Sequence, residues 1–223
     1  MNTKFLLPLL ALPLLAACAP EVETTIYLAD VQAALDSGKS VAVPATLRIP
    51  QSGKEDCEKG LPDLVAKLKA FAPVKTEGKC VDGKDSTLAE IGTELQIVAG
   101  DATYDPVNLF VLEVATTDEG RSDLTFHMLK PIEDVVKGLA AEGTPQTDFD
   151  PSKFIIHVNN DGAGSVELVG NHVFIDDKPA FADSGEATTV DRRGEVTIKF
   201  SDVASSFVEQ GNSYWFVTVG PAS

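Results

Sequence analysis

Basic residues are scarce in this sequence. Its 223 residues include 34 Asp and Glu against 18 Lys and Arg. Residues 1–17 carry a single charge, on Lys4, so the rest of the chain holds 17 bases against 34 acids, a formal charge of −17. A nucleic-acid-binding protein needs a basic surface to displace counterions. The charge balance therefore argues against a nucleic-acid partner, whereas it suits solubility and a basic protein partner.

Long apolar runs are missing as well. The run over residues 5–15 is interrupted by Pro8 and Pro13, whereas a bilayer-spanning helix needs about 20 apolar residues. Lys4 stands before the run, and small residues follow it. A basic start, a short apolar core and small residues are typical of a secretory signal. Residues 1–17 are therefore predicted to be a signal peptide and not a permanent membrane helix.

The end of this segment carries a more specific pattern. The residues Leu15-Ala16-Ala17-Cys18 resemble the lipobox of bacterial lipoproteins, which has an aliphatic residue, two small residues and a Cys. The resemblance implies cleavage just before Cys18, a diacylglyceryl group on its thiol and acylation of the new amine. It covers only these residues. The alternative is an ordinary signal peptide cut near Ala17 or Ala19, with Cys18 incidental.

The lipobox also predicts where the mature protein lies. One acyl chain holds a protein only marginally on a membrane, whereas two or three give long-lived attachment. By the same resemblance, Ala19 in place of the Asp that retains enteric lipoproteins in the inner membrane favours the outer membrane. Residues 18–24 are predicted to form a short tether that reaches roughly 20 Å when extended. The domain is therefore expected close to the membrane, in the periplasm.

Cysteine is rare, and its odd count is informative. Lipidation of Cys18 leaves Cys57 and Cys80, which are predicted to form a disulfide in the oxidising periplasm. A redox-active pair is the alternative, but the spacing differs from C-x-x-C. Between the two cysteines, Pro62 suits a first helical turn. A helix is predicted there because these apolar residues share one face at helical spacing: Leu61, Leu64, Val65, Leu68 and Phe71.

The remaining pattern predicts an α+β fold, mainly antiparallel sheet with three or four short helices and one disulfide. The polar stretch 116–122 is interpreted as a seam between an N-terminal half, 25–115, and a C-terminal half, 123–223, which either pack as one domain or form two. Helices are predicted at 30–38, between the two cysteines, from Pro131 and from Ser201. Strands are predicted at 25–28, 40–43, 46–49, 94–98, 107–114, 124–129, 154–158, 165–169, 172–175, 195–200 and 213–219.

Two local features qualify this assignment. Pro44 lies between the predicted strands 40–43 and 46–49, and Pro is disfavoured in a central strand, so an edge or a bend is expected there. Residues 144–151 are predicted to be a loop. Residues 159–162 and 191–194 are strong turn signals between strands.

Catalytic and cofactor motifs are absent. Residues 162–166 do not match the G-x-S-x-G pattern of a serine nucleophile, and no Walker loop or dinucleotide fingerprint occurs. The two cysteines of the mature chain are assigned to the disulfide. No catalytic residue and no cofactor are therefore predicted. If the protein were an enzyme, His127 and His157 facing acidic side chains would be the place to look.

Metal sites have only weak support. The three histidines, His127, His157 and His172, are predicted on different strands, where they could in principle form a zinc site. No short ligand spacing supports this, so they are interpreted as exposed or hydrogen-bonded strand residues. Residues 157–162 superficially resemble a calcium loop but are interpreted as a hairpin turn. The acidic pairs Asp176-Asp177 and Asp148-Asp150 could bind calcium weakly, and the Arg192-Arg193 pair is interpreted as a solvated hairpin tip.

The sequence thus predicts a non-enzymatic, membrane-anchored lipoprotein that binds or supports a protein partner in the cell envelope. The alternative is a periplasmic receptor for a small or lipidic ligand, which requires a deep pocket. The apolar strands around Phe154 and Trp215 could line such a pocket or form the core.

Overall fold

A computed structural model describes residues 20–84, 86–100, 102–104, 106–129 and 153–222. Cys18, the predicted helix from Pro131, the predicted loop 144–151 and the Asp148-Asp150 pair lie outside these residues. The described part is built around a 13-stranded sheet with three α-helices and one 3-10 turn, Ala182–Ser184. The predicted antiparallel sheet and disulfide are confirmed, but the fold is predominantly β, so α+β describes it only loosely.

The helices are α1 (Leu28–Ser37), α2 (Lys54–Leu68) and α3 (Asp202–Glu209). The strands are β1 (Glu21–Tyr27), β2 (Val41–Gln51), β3 (Lys79–Asp82), β4 (Thr87–Ala99), β5 (Phe110–Thr116), β6 (Ser122–Met128), β7 (Phe154–Asn159), β8 (Val166–Gly170), β9 (Val173–Ile175), β10 (Lys178–Ala180), β11 (Thr188–Val190), β12 (Glu195–Phe200) and β13 (Tyr214–Pro221).

The strands lie in the order β10-β9-β12-β7-β1-β2-β4-β5-β6-β13-β8-β11, and β3 pairs with β4. The pairs β1–β7 and β4–β5 are parallel, and the other pairs among the described strands are antiparallel. Strands from both predicted halves, 25–115 and 123–223, therefore belong to this one sheet. The strands β8 and β9 are consecutive in the chain, yet β8 pairs with β13 and β9 with β12. One chain segment therefore links the two ends of the sheet.

The sheet is strongly curled, as its aromatic core shows. Phe126 on β6 and Phe154 on β7 have ring centroids 4.8 Å apart, although four strands separate β6 from β7 in the sheet. In a flat sheet five strand spacings would place these strands about 24 Å apart. The apolar face therefore folds onto itself, and Phe110 and Phe200 contact the same pair of rings.

The hydrophobic alternation explains where β1 begins. Val22, Thr24 and Ile26 are buried while their neighbours face outward, a period of two residues. Pairing with β2 already begins at Glu21. The predicted tether over 18–24 is therefore too long, because residues 21–24 belong to the sheet. Pro20 is also buried, so the described fold starts two residues after Cys18.

Helix α2 and the disulfide close one side of the core. The predicted bond joins Cys57 to Cys80 with a Cα–Cα distance of 6.1 Å, within the usual range. Val65 and Leu68 are buried, as the helical spacing predicts. Pro62 does not open the helix, because α2 begins at Lys54 and Pro62 lies in its interior. The stretch before Pro62 is polar and so gave no apolar periodicity to detect.

Two predicted interruptions are wrong. The predicted strands 40–43 and 46–49 are one continuous strand, β2, which begins at Val41 and lies inside the sheet between β1 and β4. Pro44 is tolerated there because the pairing with β1 ends at Ala45. The stretch 116–122 is the turn of the β5–β6 hairpin and not a seam: the Thr117 amide donates to the Arg121 carbonyl, and Gly120 has a φ of 74°.

Several strands start or end on the same side of the sheet, which runs across the strands and not along an outermost strand. β1 and β7 run parallel and begin at this edge, with Val22 opposite Phe154. β12 is antiparallel to β7 and therefore ends there, at Phe200. From β2 to β13 every neighbouring pair is antiparallel except β4–β5, and these directions bring the start of β13 to the same edge. We call it the N-terminal edge. Tyr27 and the turn 191–194 lie at the opposite edge.

Candidate functional site

The outward face of β1, β2, β4, β7 and β12 carries a continuous set of charged side chains. Residues opposite each other on neighbouring strands have Cβ atoms about 5 Å apart, and the register aligns Glu21 with Arg48 and Arg48 with Glu90. Lys79 on β3 stands opposite Glu90. We call this set the charged lattice; its members are Glu21, Glu23, Arg48, Lys79, Glu90, His157 and Glu195.

Arg48 is the centre of the charged lattice. Its Nη1 atom lies 2.5 Å from Glu21 Oε1 and 2.5 Å from Glu23 Oε2, and its Nε atom lies 3.1 Å from Glu90 Oε2. Lys79 Nζ reaches the second oxygen of Glu90 at 2.9 Å. The Arg48 side chain is 23% exposed, so these ion pairs are more shielded than ordinary surface pairs. The guanidinium therefore joins three strands electrostatically.

The pKa values in the charged lattice reflect this pairing. Burial lowers the pKa of Arg48, but the hydrogen bonds to Glu21, Glu23 and Glu90 outweigh it, and the pKa lies above its ordinary value. Burial raises the pKa of Glu23, but the hydrogen bonds from Arg48 and His157 leave it below the ordinary value of 4.5. Lys79 and then Arg48 lower the pKa of Glu90. The Glu23 and Glu90 carboxylates therefore stay ionised in the folded protein at neutral pH.

His157 extends the charged lattice towards β12. Its Nε2 atom lies 3.0 Å from Glu23 Oε1, and its Nδ1 atom lies 3.2 Å from the Thr197 hydroxyl and 3.7 Å from Glu195 Oε1. His157 on β7 thus does face acidic side chains, on both neighbouring strands. These contacts satisfy both ring nitrogens, which makes the ring a structural link between carboxylates.

His127 forms a second polar group on the outward face. The Ser213 hydroxyl and His127 Nδ1 form a 2.5 Å hydrogen bond, and Glu113 Oε2 lies 2.6 Å from Nε2. These two distances place Ser213, His127 and Glu113 in a Ser–His–Glu series. The sequence did not predict this series, because Ser213 is 86 residues from His127. The Nε2 atom is nevertheless buried without an aligned hydrogen-bond partner. The carboxylate therefore does not hold the ring as a catalytic triad requires.

The three histidines are not brought together. His127 on β6 and His157 on β7 lie on the outward face of the curled sheet, and four strands lie between β6 and β7. His172 is not in a strand: it has a φ of 50°, precedes β9, hydrogen-bonds Asn171 and contacts the Phe181 ring edge-on. Among the described residues, no group of three His, Cys, Asp or Glu side chains is arranged to hold a metal ion.

The acidic turns have structural partners. Asp161 accepts a hydrogen bond of 3.0 Å from the Ala29 amide and so supports the first turn of α1. Asp176 accepts from the Thr197 amide, and Asp177 pairs with Lys199 at 2.9 Å. These contacts give Asp161, Asp176 and Asp177 structural roles, whereas Asp148 and Asp150 lie outside the described residues.

The turn 191–194 is organised by Asn160, whose side chain is buried. The Asn160 side-chain amide donates to the carbonyls of Gly164 and Val190 at 2.8 and 2.9 Å. The Asn160 backbone carbonyl accepts from the Arg193 backbone amide. Arg193 adopts a φ of 64°. The arginine pair is therefore exposed on a turn between β11 and β12. The prediction of a hairpin is wrong, because β11 pairs with β8, whereas β12 pairs with β7 and β9.

The described interior is packed with aromatic rings. Phe126, Phe154, Phe200 and Phe216 are buried. The ring centroid of Phe200 lies 5.4 Å from that of Phe126, 6.3 Å from that of Phe154 and 5.6 Å from that of Phe216, and the centroids of Phe126 and Phe154 are 4.8 Å apart. A cavity beside Phe110 has a volume of about 10 Å³, which is room for roughly one water molecule. Phe154 is thus a core residue.

Comparison with known proteins adds a family. A family model described as "Domain of unknown function (DUF7424)" matches residues 20–221. No curated protein and no solved structure matches the chain. In the part of the chain that the structure describes, no helix is both long and apolar enough to cross a membrane. Because the match spans more than half of the 223 residues, the chain belongs to the DUF7424 family.

Proposed function

We propose that this protein is a lipid-anchored lipoprotein of the bacterial cell envelope that binds a protein partner close to the membrane and is not an enzyme. The observation that carries the proposal is the position of the fold relative to Cys18. Pro20 is buried, β1 begins at Glu21, and the family match begins at residue 20. Three residues span at most about 10 Å. An acylated Cys18 would therefore hold the domain against the membrane, on the periplasmic face of the outer membrane.

Binding at the surface fits the structure better than binding inside it. The described interior is filled by aromatic rings, and the cavity beside Phe110 admits about one water molecule, whereas ligand pockets measure about 300–1,000 Å³. Within the part of the chain that the structure describes, this supports surface binding over the alternative, a receptor for a small or lipidic ligand. The Ser213–His127–Glu113 series lacks an aligned carboxylate, which disfavours hydrolysis.

The charged lattice supplies the surface for a partner. Its carboxylates outnumber Arg48 and Lys79, and the whole chain has a formal charge of −16. Complementary charge accelerates association and selects partners. Glu195 lies at the edge of the charged lattice away from the N-terminal edge, and its side chain is 46% exposed. A basic envelope protein is therefore the partner that this face fits.

The test is affinity capture from native membranes with the tagged, lipidated full chain. We expect specific basic envelope proteins to be recovered with the native chain, and their recovery to fall for the Cys18→Ala and Glu195→Lys variants. The Asp63→Lys variant is the matched control, because Asp63 is an exposed acid on α2 that pairs with Lys67 and is not a member of the charged lattice. Equal recovery with Glu195→Lys, or a co-purifying small molecule without any partner, would contradict the proposal.

A further inference from the structure

Four large apolar side chains are exposed near the N-terminal edge. Their exposed fractions are 37% for Phe174, 43% for Phe181, 64% for Val203 and 45% for Phe207. Single exposed apolar residues are ordinary, but a cluster marks an interaction surface. We call these four residues the apolar rim.

The chain topology places the apolar rim on one side of the molecule. β12 ends and β13 begins at the N-terminal edge, and α3 joins them, so α3 runs along this edge. Val203 and Phe207 are four residues apart on α3 and therefore share a face. The Phe207 ring lies 5.8 Å from the ring of Tyr214, the first residue of β13.

The aromatic residues beside β9 continue the apolar rim. Phe174 pairs with Lys199, next to the end of β12. Phe181 contacts the His172 ring at 5.5 Å, and the Ser201 hydroxyl, which caps α3, donates to the His172 carbonyl. The apolar rim thus follows the N-terminal edge from β9 to the start of β13.

The start of the chain lies at the same edge. Val22 pairs with Phe154, and the neighbouring Ile155 pairs with Lys199, so two strand spacings, about 10 Å, separate the start of β1 from the end of β12. Cys18 is three residues before Glu21 and so lies within about 10 Å of it. Acyl chains on Cys18 would bring this edge, and with it the apolar rim, to the bilayer surface.

We propose that the apolar rim is a membrane-contact surface whose side chains enter the headgroup and acyl boundary of the bilayer that holds the Cys18 lipid. The inference rests on the proposed lipid anchor and adds an orientation: the N-terminal edge faces the lipid, and the edge with Tyr27 faces away. Aromatic and aliphatic side chains on one helix face are typical of interfacial contacts. The exposed carboxylates Asp183 and Asp202 beside the rim make a zwitterionic surface the fitting one.

The test places a fluorescent reporter on the apolar rim. The lipidated full chain is reconstituted into phosphatidylethanolamine–phosphatidylcholine vesicles with brominated acyl chains, and tryptophan quenching is measured. Trp215 is the chain's only tryptophan, so the background is Trp215→Phe, with either Phe207→Trp or Phe181→Trp added. Tyr27→Trp is the matched control, because Tyr27 is 44% exposed against 45% for Phe207 but lies at the opposite edge.

We expect quenching of the Phe207→Trp and Phe181→Trp variants to be roughly threefold stronger than that of Tyr27→Trp, because an interfacial helix lies about 5–10 Å deep in the boundary. Far-UV circular dichroism and vesicle flotation accompany each measurement. Flotation with equal quenching at both edges would overturn the membrane-contact surface and leave the anchor standing. Failure of the native lipidated chain, without any substitution, to float with the vesicles would overturn the anchor and this proposal with it.

Discussion

Replacing Arg48 by methionine removes the guanidinium that contacts Glu21, Glu23 and Glu90 but keeps the apolar stem of the side chain. Glu21 Oε1 and Glu23 Oε2 each lie 2.5 Å from Nη1, so they are no more than about 5 Å apart. Their repulsion without the cation is about 1 kcal/mol at the dielectric constant of water and about 3 kcal/mol at an effective value of 20. Lost charged hydrogen bonds add to this. We expect Arg48→Met to lower the free energy of unfolding by about 2–4 kcal/mol at pH 7.

The assay is urea unfolding followed by Trp215 fluorescence and far-UV circular dichroism. Arg121→Met is the matched control, because Arg121 approaches only Glu119 among the ion pairs of the described residues, at 3.8 Å, and Glu119 is 81% exposed. That change should cost less than about 0.5 kcal/mol. A loss below about 0.5 kcal/mol for Arg48→Met would refute the reasoning.

The same variant has a defined pH dependence. The folded-state pKa values of Glu23 and Glu90 lie below 4.5, so their stabilisation is present above the unfolded value and is lost as the pH falls through the folded values. The difference between the native chain and Arg48→Met should therefore be complete at pH 7 and shrink below pH 4.5 as the carboxylates are protonated. An undiminished difference in acid would show that it does not arise from these ion pairs.

Three further predictions follow from the described contacts. Asn160→Ala should lower the free energy of unfolding by about 2–3 kcal/mol, because it leaves the buried Val190 carbonyl unpaired and removes the hydrogen bond to the Gly164 carbonyl. Urea unfolding measures this, and a loss under about 0.5 kcal/mol would contradict it. The Cys57→Ser, Cys80→Ser double variant should lower the free energy of unfolding by about 3 kcal/mol, because the bond joins residues with a sequence separation of 23. An unchanged midpoint of urea unfolding would argue against a stabilising bond. After treatment with a fluorophosphonate, intact-mass measurement should show no adduct on Ser213. A stoichiometric adduct there would point to hydrolase chemistry.

Local signals in the sequence were enough for several elements. Gly38 ends α1 with a φ of 60°, and Ser201 caps α3 by accepting from the Ala204 amide, as their residue types indicate. The disulfide followed from the count of cysteines once Cys18 had been assigned to the lipid. These predictions succeeded because each depends on residues close in sequence or on chemistry specific to one residue type.

Long-range relations were not accessible in the same way. The cap of α1 is completed by Asp161, which is 132 residues from its partner Ala29, so no local pattern predicts it. The charged lattice depends on the register that sets Arg48 between Glu21 and Glu90. The sequence does carry a signal for the start of β1. The alternation of charged and buried residues around 21–24 shows that the strand starts before its apolar core.

The central claim is that Cys18 anchors this domain to a membrane, and the intact mass of the mature protein from native membranes tests it most directly. The account predicts a chain that begins at Cys18 and carries a diacylglyceryl group with or without N-acylation, and a Cys18→Ala variant that lacks this mass. A soluble chain cut near Ala17 or Ala19 without lipid would contradict the account.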